Sequence, residues 1–271
     1  MTRLRATLES ARLDGRAAVV GYLPAGFPDR ARYFDLVEGA FTAGLDALEI
    51  GLPGPAPTTE GVAITAAINR CRGAVTGLQD ALTLAAEARA HAQDALIALA
   101  YDVVVDEVGI DGLLDSCRAA EIDSVLLPQL SMNSQLEIAR QAQAEGIDVV
   151  FFLSRREEIG QLSDGGVRDP IIYLQSATQH TGGTFNPGTA SERLADVRSA
   201  FGARSARVLV GFGIASPLDV QVLVRAGADG VVVGTAFVEA ADRGGYDLDQ
   251  LVVALRSAAV ADPRSTAGRP A

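Results

Sequence analysis

Glu49 sits inside the run Ala47-Leu48-Glu49-Ile50-Gly51. A carboxyl group in so apolar a stretch is either a buried, paired residue or faces a cavity. In a cavity, partial desolvation raises its pKa and suits it to general acid–base work. Glu60 follows the proline-stiffened segment Leu52-Pro53-Gly54-Pro55-Ala56-Pro57 and precedes a helical pattern. On spacing alone it reads as a helix-start acid favoured by the helix dipole. Two later segments, Val210-Gly211-Phe212-Gly213-Ile214-Ala215-Ser216-Pro217 and Val233-Gly234-Thr235-Ala236, put glycine and small residues between a strand and a helix start. Backbone amides in such turns converge on an anion without needing a cation, so a phosphate is the expected ligand. The polar, glycine-rich stretch 175–188 has the composition of a lid, with His180 in it as a solvated or catalytic residue.

The composition removes several alternatives. All 23 basic residues are arginine. Without a lysine amine there is no Schiff base on a substrate or on pyridoxal phosphate, and no lysine-bearing P-loop. A net charge of −11 and the lack of any basic run argue against nucleic acid. Cys71 and Cys117 lack metal-ligand spacing, and the two histidines, His91 and His180, cannot build a multi-histidine site, so no metal is expected. The cysteines read as small hydrophobes in a reducing, cytoplasmic setting. The N-terminal segment is amphipathic and contains acids, unlike a signal peptide, and no run of apolar residues is long enough to span a membrane.

The elements that must position these residues follow from periodicity. Eight nearly continuous apolar runs (17–23, 46–51, 95–101, 123–128, 148–153, 170–175, 207–213 and 229–234) read as strands buried on both faces. Helical spacing marks 29–43, where Phe34, Val37 and Phe41 share a face, and also 76–92, 108–120, 133–145, 190–201 and 216–226. A short extra helix is expected over 61–72, and a helix over 2–14 to cap the barrel bottom. The pattern predicts one α/β domain over 1–260, a (β/α)8 TIM barrel with an N-terminal capping helix, followed by a disordered tail, 261–271. In such barrels the site lies at the C-terminal ends of the strands, which is where Glu49 and both glycine turns fall.

GYLPAGFP (21–28), DALEIGLP (46–53), GFGIASP (211–217) and GADGVVVGTAF (227–237) together resemble the α subunit of tryptophan synthase, over about residues 5–260. The resemblance implies a cofactor-independent lyase of tryptophan biosynthesis. It would cleave indole-3-glycerol phosphate by retro-aldol reaction and pass indole to a pyridoxal-phosphate β subunit. It also implies Glu49 as the proton-transferring acid, with Tyr173 close to it. Gly213, Gly234, Thr235 and Gly182 would hold the phosphate, and Tyr22, Ile64, Tyr101, Leu126 and Phe212 would form the indole slot. Glu60 would face the ring nitrogen.

The chain departs from the family pattern in the loops. PGPAPTTEGV (53–62) stands where the family has P-x-S-D-P-x-x-D-G-P, so one aspartate is Ala56 and the other is Glu60. Pro128-Gln129-Leu130-Ser131 replaces P-D-L-P, and Gln179 occupies a lid position where glycine is usual. These loops would also carry contact with a β subunit. A catalytically impaired paralogue that binds a phosphorylated ligand, or a lyase for a related phosphorylated substrate, is the competing expectation. A sugar-phosphate isomerase ranks last, because strand 1 ends in Gly21-Tyr22-Leu23-Pro24 without an acid.

Overall fold

The computed structural model describes residues 1–58, 60–176, 186–202 and 205–260. Eight parallel strands close into a barrel in sequence order: β1 (Ala18–Pro24), β2 (Ala47–Gly51), β3 (Ala95–Leu99), β4 (Ser124–Leu126), β5 (Asp148–Leu153), β6 (Ile171–Gln175), β7 (Arg207–Gly211) and β8 (Gly230–Val233). Every residue of β1, β2, β3, β6 and β8 is buried, as continuous apolar runs covered on both faces require. The register sets Tyr22 of β1 opposite Glu49 of β2, and Phe152 of β5 opposite Tyr173 of β6. Side chains at these positions therefore meet at one level of the barrel.

The N-terminal helix α1 (Arg3–Leu13) closes the bottom. Leu4, Leu8 and Ala11 are fully buried. Its polar face is tied to the N-terminal ends of successive strands: Arg5 to Asp148 and Asp169, Glu9 to Arg207, and Thr2 Oγ1 to Asp148 at 2.5 Å. The expected cap is thus present.

The outer helices differ from expectation mainly at their ends. α2 (Arg30–Thr42) buries Val37 and Phe41, while Tyr33, not Phe34, is its fully buried aromatic. α3 (Val62–Cys71) is the expected extra helix, followed by α4 (Leu78–Glu87). α5 (Asp102–Ala119) begins earlier than the expected 108, with a break at Gly109, whose φ of 72° only glycine adopts readily. Strand β3 stops at Leu99 so that Tyr101 can cap this helix, and β7 stops at Gly211 because Phe212 and Gly213 both turn to positive φ. α6 (Met132–Ala144), α8 (Pro187–Phe201) and α9 (Pro217–Ala226) follow their predicted patterns. α7 (Glu157–Asp164), α10 (Thr235–Arg243) and α11 (Gly245–Ala258) were not marked by periodicity. The expected tail 261–271 lies outside the described residues.

Candidate active site

A cavity of about 670 Å3 opens at the C-terminal ends of the strands. Its base holds Glu49, which is 2% exposed. The Oε1 atom of Glu49 has no hydrogen-bond partner. Burial, with the nearby charge of Glu60 second, raises its pKa from 4.5 to about 8. At neutral pH the side chain is therefore a protonated acid able to donate into the cavity.

Glu60 lines the same cavity, just before Gly61, the N-cap of α3. Its Oε1 accepts a 2.6 Å hydrogen bond from the Tyr101 hydroxyl. The helix-start reading is thus incomplete: the side chain turns inward rather than serving the helix alone. Tyr22 completes this corner. Burial lifts the phenol pKa values of Tyr22 and Tyr101 well above 10, so both stay neutral.

The same cavity is lined by the apolar side chains of Ile64, Leu99, Leu126, Phe152 and Val232. Phe152, Tyr173 and Phe212 pack as an aromatic trio with centroids 5.5–6.1 Å apart. Tyr173 reaches this position because Gly211 lacks a side chain: a Cβ there would lie 2.0 Å from the tyrosine hydroxyl. Gly51 makes the same allowance for Tyr22, at 2.5 Å.

The third component is the pair of turns after β7 and β8. Ser216 caps α9 through a capping box with Asp219, and Gly234 precedes the first turn of α10. Both turns therefore lead into helix N-termini, α9 at Pro217 and α10 at Thr235. Phe212 and Gly234 form part of the cavity wall; Gly213 and Thr235 are the half-buried residues next to them. The Ser176 hydroxyl lies 2.6 Å from the Gly211 carbonyl and 2.5 Å from that of Phe212, fixing the turn from β6. Gly182 and His180, both in the expected lid, lie outside the described residues.

The structure thus brings Tyr22, Glu49, Glu60, Ile64, Tyr101, Leu126, Tyr173, Phe212 and Gly234 around one space. Sequence reasoning passed over Phe152, Ser154 and Arg193, which line it too, as do Gln175 and Ser176 at the start of the expected lid. Phe152 could have been found by alternation along β5. Arg193 could not, because it reaches the site from the second turn of a helix. Among the described residues no group of histidine, cysteine or acidic side chains could hold a metal ion.

Comparison with known proteins agrees with this geometry. The family model described as tryptophan synthase alpha chain matches residues 8–262. Curated tryptophan synthase alpha chains from Thermobifida fusca and Geobacter sulfurreducens are each 30% identical, the first over 88% of both chains, the second over 95% of this chain and 99% of its own. A solved Mycobacterium tuberculosis tryptophan synthase structure superposes with a TM-score of 0.82 at 25% identity, covering 96% of this chain and 99% of that one. The tryptophan synthase alpha subunit structure from Legionella pneumophila, at 20% identity and a TM-score of 0.78, shares the fold. The match of the family model over nearly the whole chain, and of relatives over most of their own length, places the protein in the tryptophan synthase alpha chain family of carbon–carbon lyases.

Proposed function

We propose that the chain cleaves indole-3-glycerol phosphate to indole and glyceraldehyde 3-phosphate, with Glu49 as the proton-transferring acid. The observation that carries this reading is a buried Glu49, its Oε1 without a hydrogen-bond partner and its pKa raised to about 8, lining one cavity with Glu60 and a set of apolar side chains. In the first step Glu49 gives its proton to the ring carbon that bears the glycerol chain. The ring nitrogen then carries positive charge, which the Glu60 carboxylate, steadied by Tyr101, stabilises. In the second step the Glu49 carboxylate takes the proton of the adjacent hydroxyl. The carbon–carbon bond breaks, its electron pair returns to the ring, and the hydroxyl carbon leaves as an aldehyde. One proton enters and one leaves, so Glu49 ends as it began.

Tyr173 would orient the hydroxyl, and the amides of Gly213, Gly234 and Thr235, with Gly182, would hold the phosphate. The electron sink is the substrate's own ring, in keeping with a chain that has no lysine for an iminium. Buried free thiols at Cys71 and Cys117 support a reducing, cytoplasmic setting. Among the described residues no helix is long and apolar enough to cross a membrane.

Because the loop over 53–60 departs from the family pattern, we further propose that turnover does not depend on a β subunit. The test is indole release by the purified chain, alone and with a tryptophan synthase β subunit, beside Glu49→Gln. Substrate-dependent indole that Glu49→Gln lowers by at least a hundredfold is expected. Tight binding of phosphorylated ligand without turnover would instead identify a binding partner. Strong activation by the β subunit would overturn the independence.

A further inference from the structure

The substrate cavity carries a charge problem. Its wall holds Glu49, Glu60 and Asp102, and a phosphate ester adds up to two further negative charges. Among the described residues only two cations line it, Arg155 and Arg193. Arg155 is already neutralised: it pairs with Glu158 at 3.0 Å and with Glu157 at 3.6 Å.

Arg193 is different. It extends from α8 to the rim and donates from Nη1 to the Gln175 carbonyl at 2.5 Å and from Nη2 to the Leu153 carbonyl at 3.2 Å. Among the described residues it makes no ion pair. Its Nε is buried without a hydrogen-bond partner. Two of five donors are committed, both to neutral carbonyls, so the full positive charge is held in place and left uncompensated by contact. Burial lowers its pKa, and the more distant Glu158, Asp196 and Glu157 oppose that shift.

The position of the charge is as telling as its isolation. Gln175, whose carbonyl the guanidinium grips, stands opposite Gly211 in the β6–β7 register. Ser176 then bonds Gly211 through its amide at 2.8 Å. The guanidinium is therefore roughly 10 Å from the amides of the Phe212-Gly213 turn, counting strand spacing and rise. That is about one Debye length in bulk water, and shorter in effect inside a cavity.

We propose that Arg193 is a specificity-determining residue: its guanidinium is the counter-charge that favours a dianionic phosphate ester at the ends of β7 and β8. The proposal rests on reading those turns as the phosphate site. It assigns backbone amides the geometry of phosphate binding and Arg193 the electrostatic preference for a charged over an uncharged ligand. Its clamp on two strand ends is what aims the charge.

The test is calorimetric titration of the full chain with glycerol 3-phosphate and, separately, with indole, at fixed pH and low ionic strength. Arg193→Gln keeps a donor for a strand carbonyl but removes the charge. It should weaken glycerol 3-phosphate about tenfold and leave indole affinity unchanged. Arg193→Lys should keep most of the phosphate affinity. Added salt should weaken phosphate binding more in the wild type than in Arg193→Gln. Equal phosphate affinity in wild type and Arg193→Gln would overturn the proposal, as would a parallel loss for both ligands with lowered Tm, which marks a structural clamp only. Should Arg193→Gln not fold, a wild-type phosphate affinity that ignores salt, or an Arg193→Lys variant that folds yet loses phosphate affinity tenfold, would also overturn it. Wild-type protein that binds indole but not glycerol 3-phosphate would remove the underlying phosphate site instead.

Discussion

Glu49 is uncharged at neutral pH because its surroundings were built to hold an acid rather than a carboxylate. Its folded pKa of about 8 lies far above the ordinary 4.5. The folded state therefore binds a proton that the unfolded state has already released. The resulting stability is fully present below about pH 4.5 and is lost as pH rises through 8, at up to about 1.4 kcal/mol per pH unit. Glu49→Gln removes this loss. Thermal melts should show the variant gaining on the wild type between pH 5 and 8, with the difference level above that; a difference independent of pH would mean Glu49 is already ionised. Activity should instead hold through neutral pH and fall as pH rises through about 8, where the folded protein loses the proton to be donated. Glu60 has a different task. Tyr101→Phe removes the phenol that donates to Glu60 while leaving the carboxylate, so a drop in kcat of about tenfold is expected, against about a hundredfold for Glu60→Gln. Similar losses in both would mean the charge itself matters little. That Glu49 and the glycine turns gather at the strand ends was legible in the sequence, from an acid inside an apolar strand and glycines after strands, whereas the residues of the slot followed only from the family resemblance. The inward turn of Glu60 was not legible, since a helix start offers an acid a competing explanation. Arg193 was hidden for a related reason: its stem leaves a helix whose spacing speaks only of packing.

At the scale of elements, the strands were readable almost to the residue and the helices less so. Continuous apolar runs admit little slippage when both faces are covered. Helix ends depend instead on single residues, as Gly109 shows by splitting α5. α7, α10 and α11 escaped because their buried positions, such as Phe237 and Val238 in α10, are interleaved with alanine and acids. Where a cap is explicit, it predicts well. Ser216-Pro217 was read as a helix start, and it forms the full capping box of α9. Ser216→Ala should cost about 1 kcal/mol and lower Tm by about 2–4 °C. Because the same turn carries amides proposed to hold the phosphate, the variant should also raise KM for the phosphorylated substrate. A normal KM with lowered Tm would show that α9 starts correctly without its cap, and that the cap serves stability alone.

The whole molecule divides its labour between two ends. At the top, glycine turns, an unpaired cation and a desolvated acid are each unfavourable for folding on their own. At the bottom, α1 supplies contacts that offset such features: Leu4 and Leu8 seal the core, while Arg5 joins Asp148 of β5 to Asp169 at the start of β6. Asp148 is central there, accepting from Thr2 Oγ1 at 2.5 Å and from Arg5 at 2.8 and 2.9 Å. Removing one partner of such a network strands the others, so Asp148→Ala should cost about 1–3 kcal/mol. Leu8→Ala opens a cavity in a fully buried position and should cost about 2–5 kcal/mol. If the two ends are independent, both variants will melt early yet keep the wild-type KM and pH profile when assayed below their Tm. A shifted pH profile in Asp148→Ala would instead mean that the bottom clamp sets the strand positions around Glu49, and that the barrel transmits strain along β5 and β6 from one end to the other.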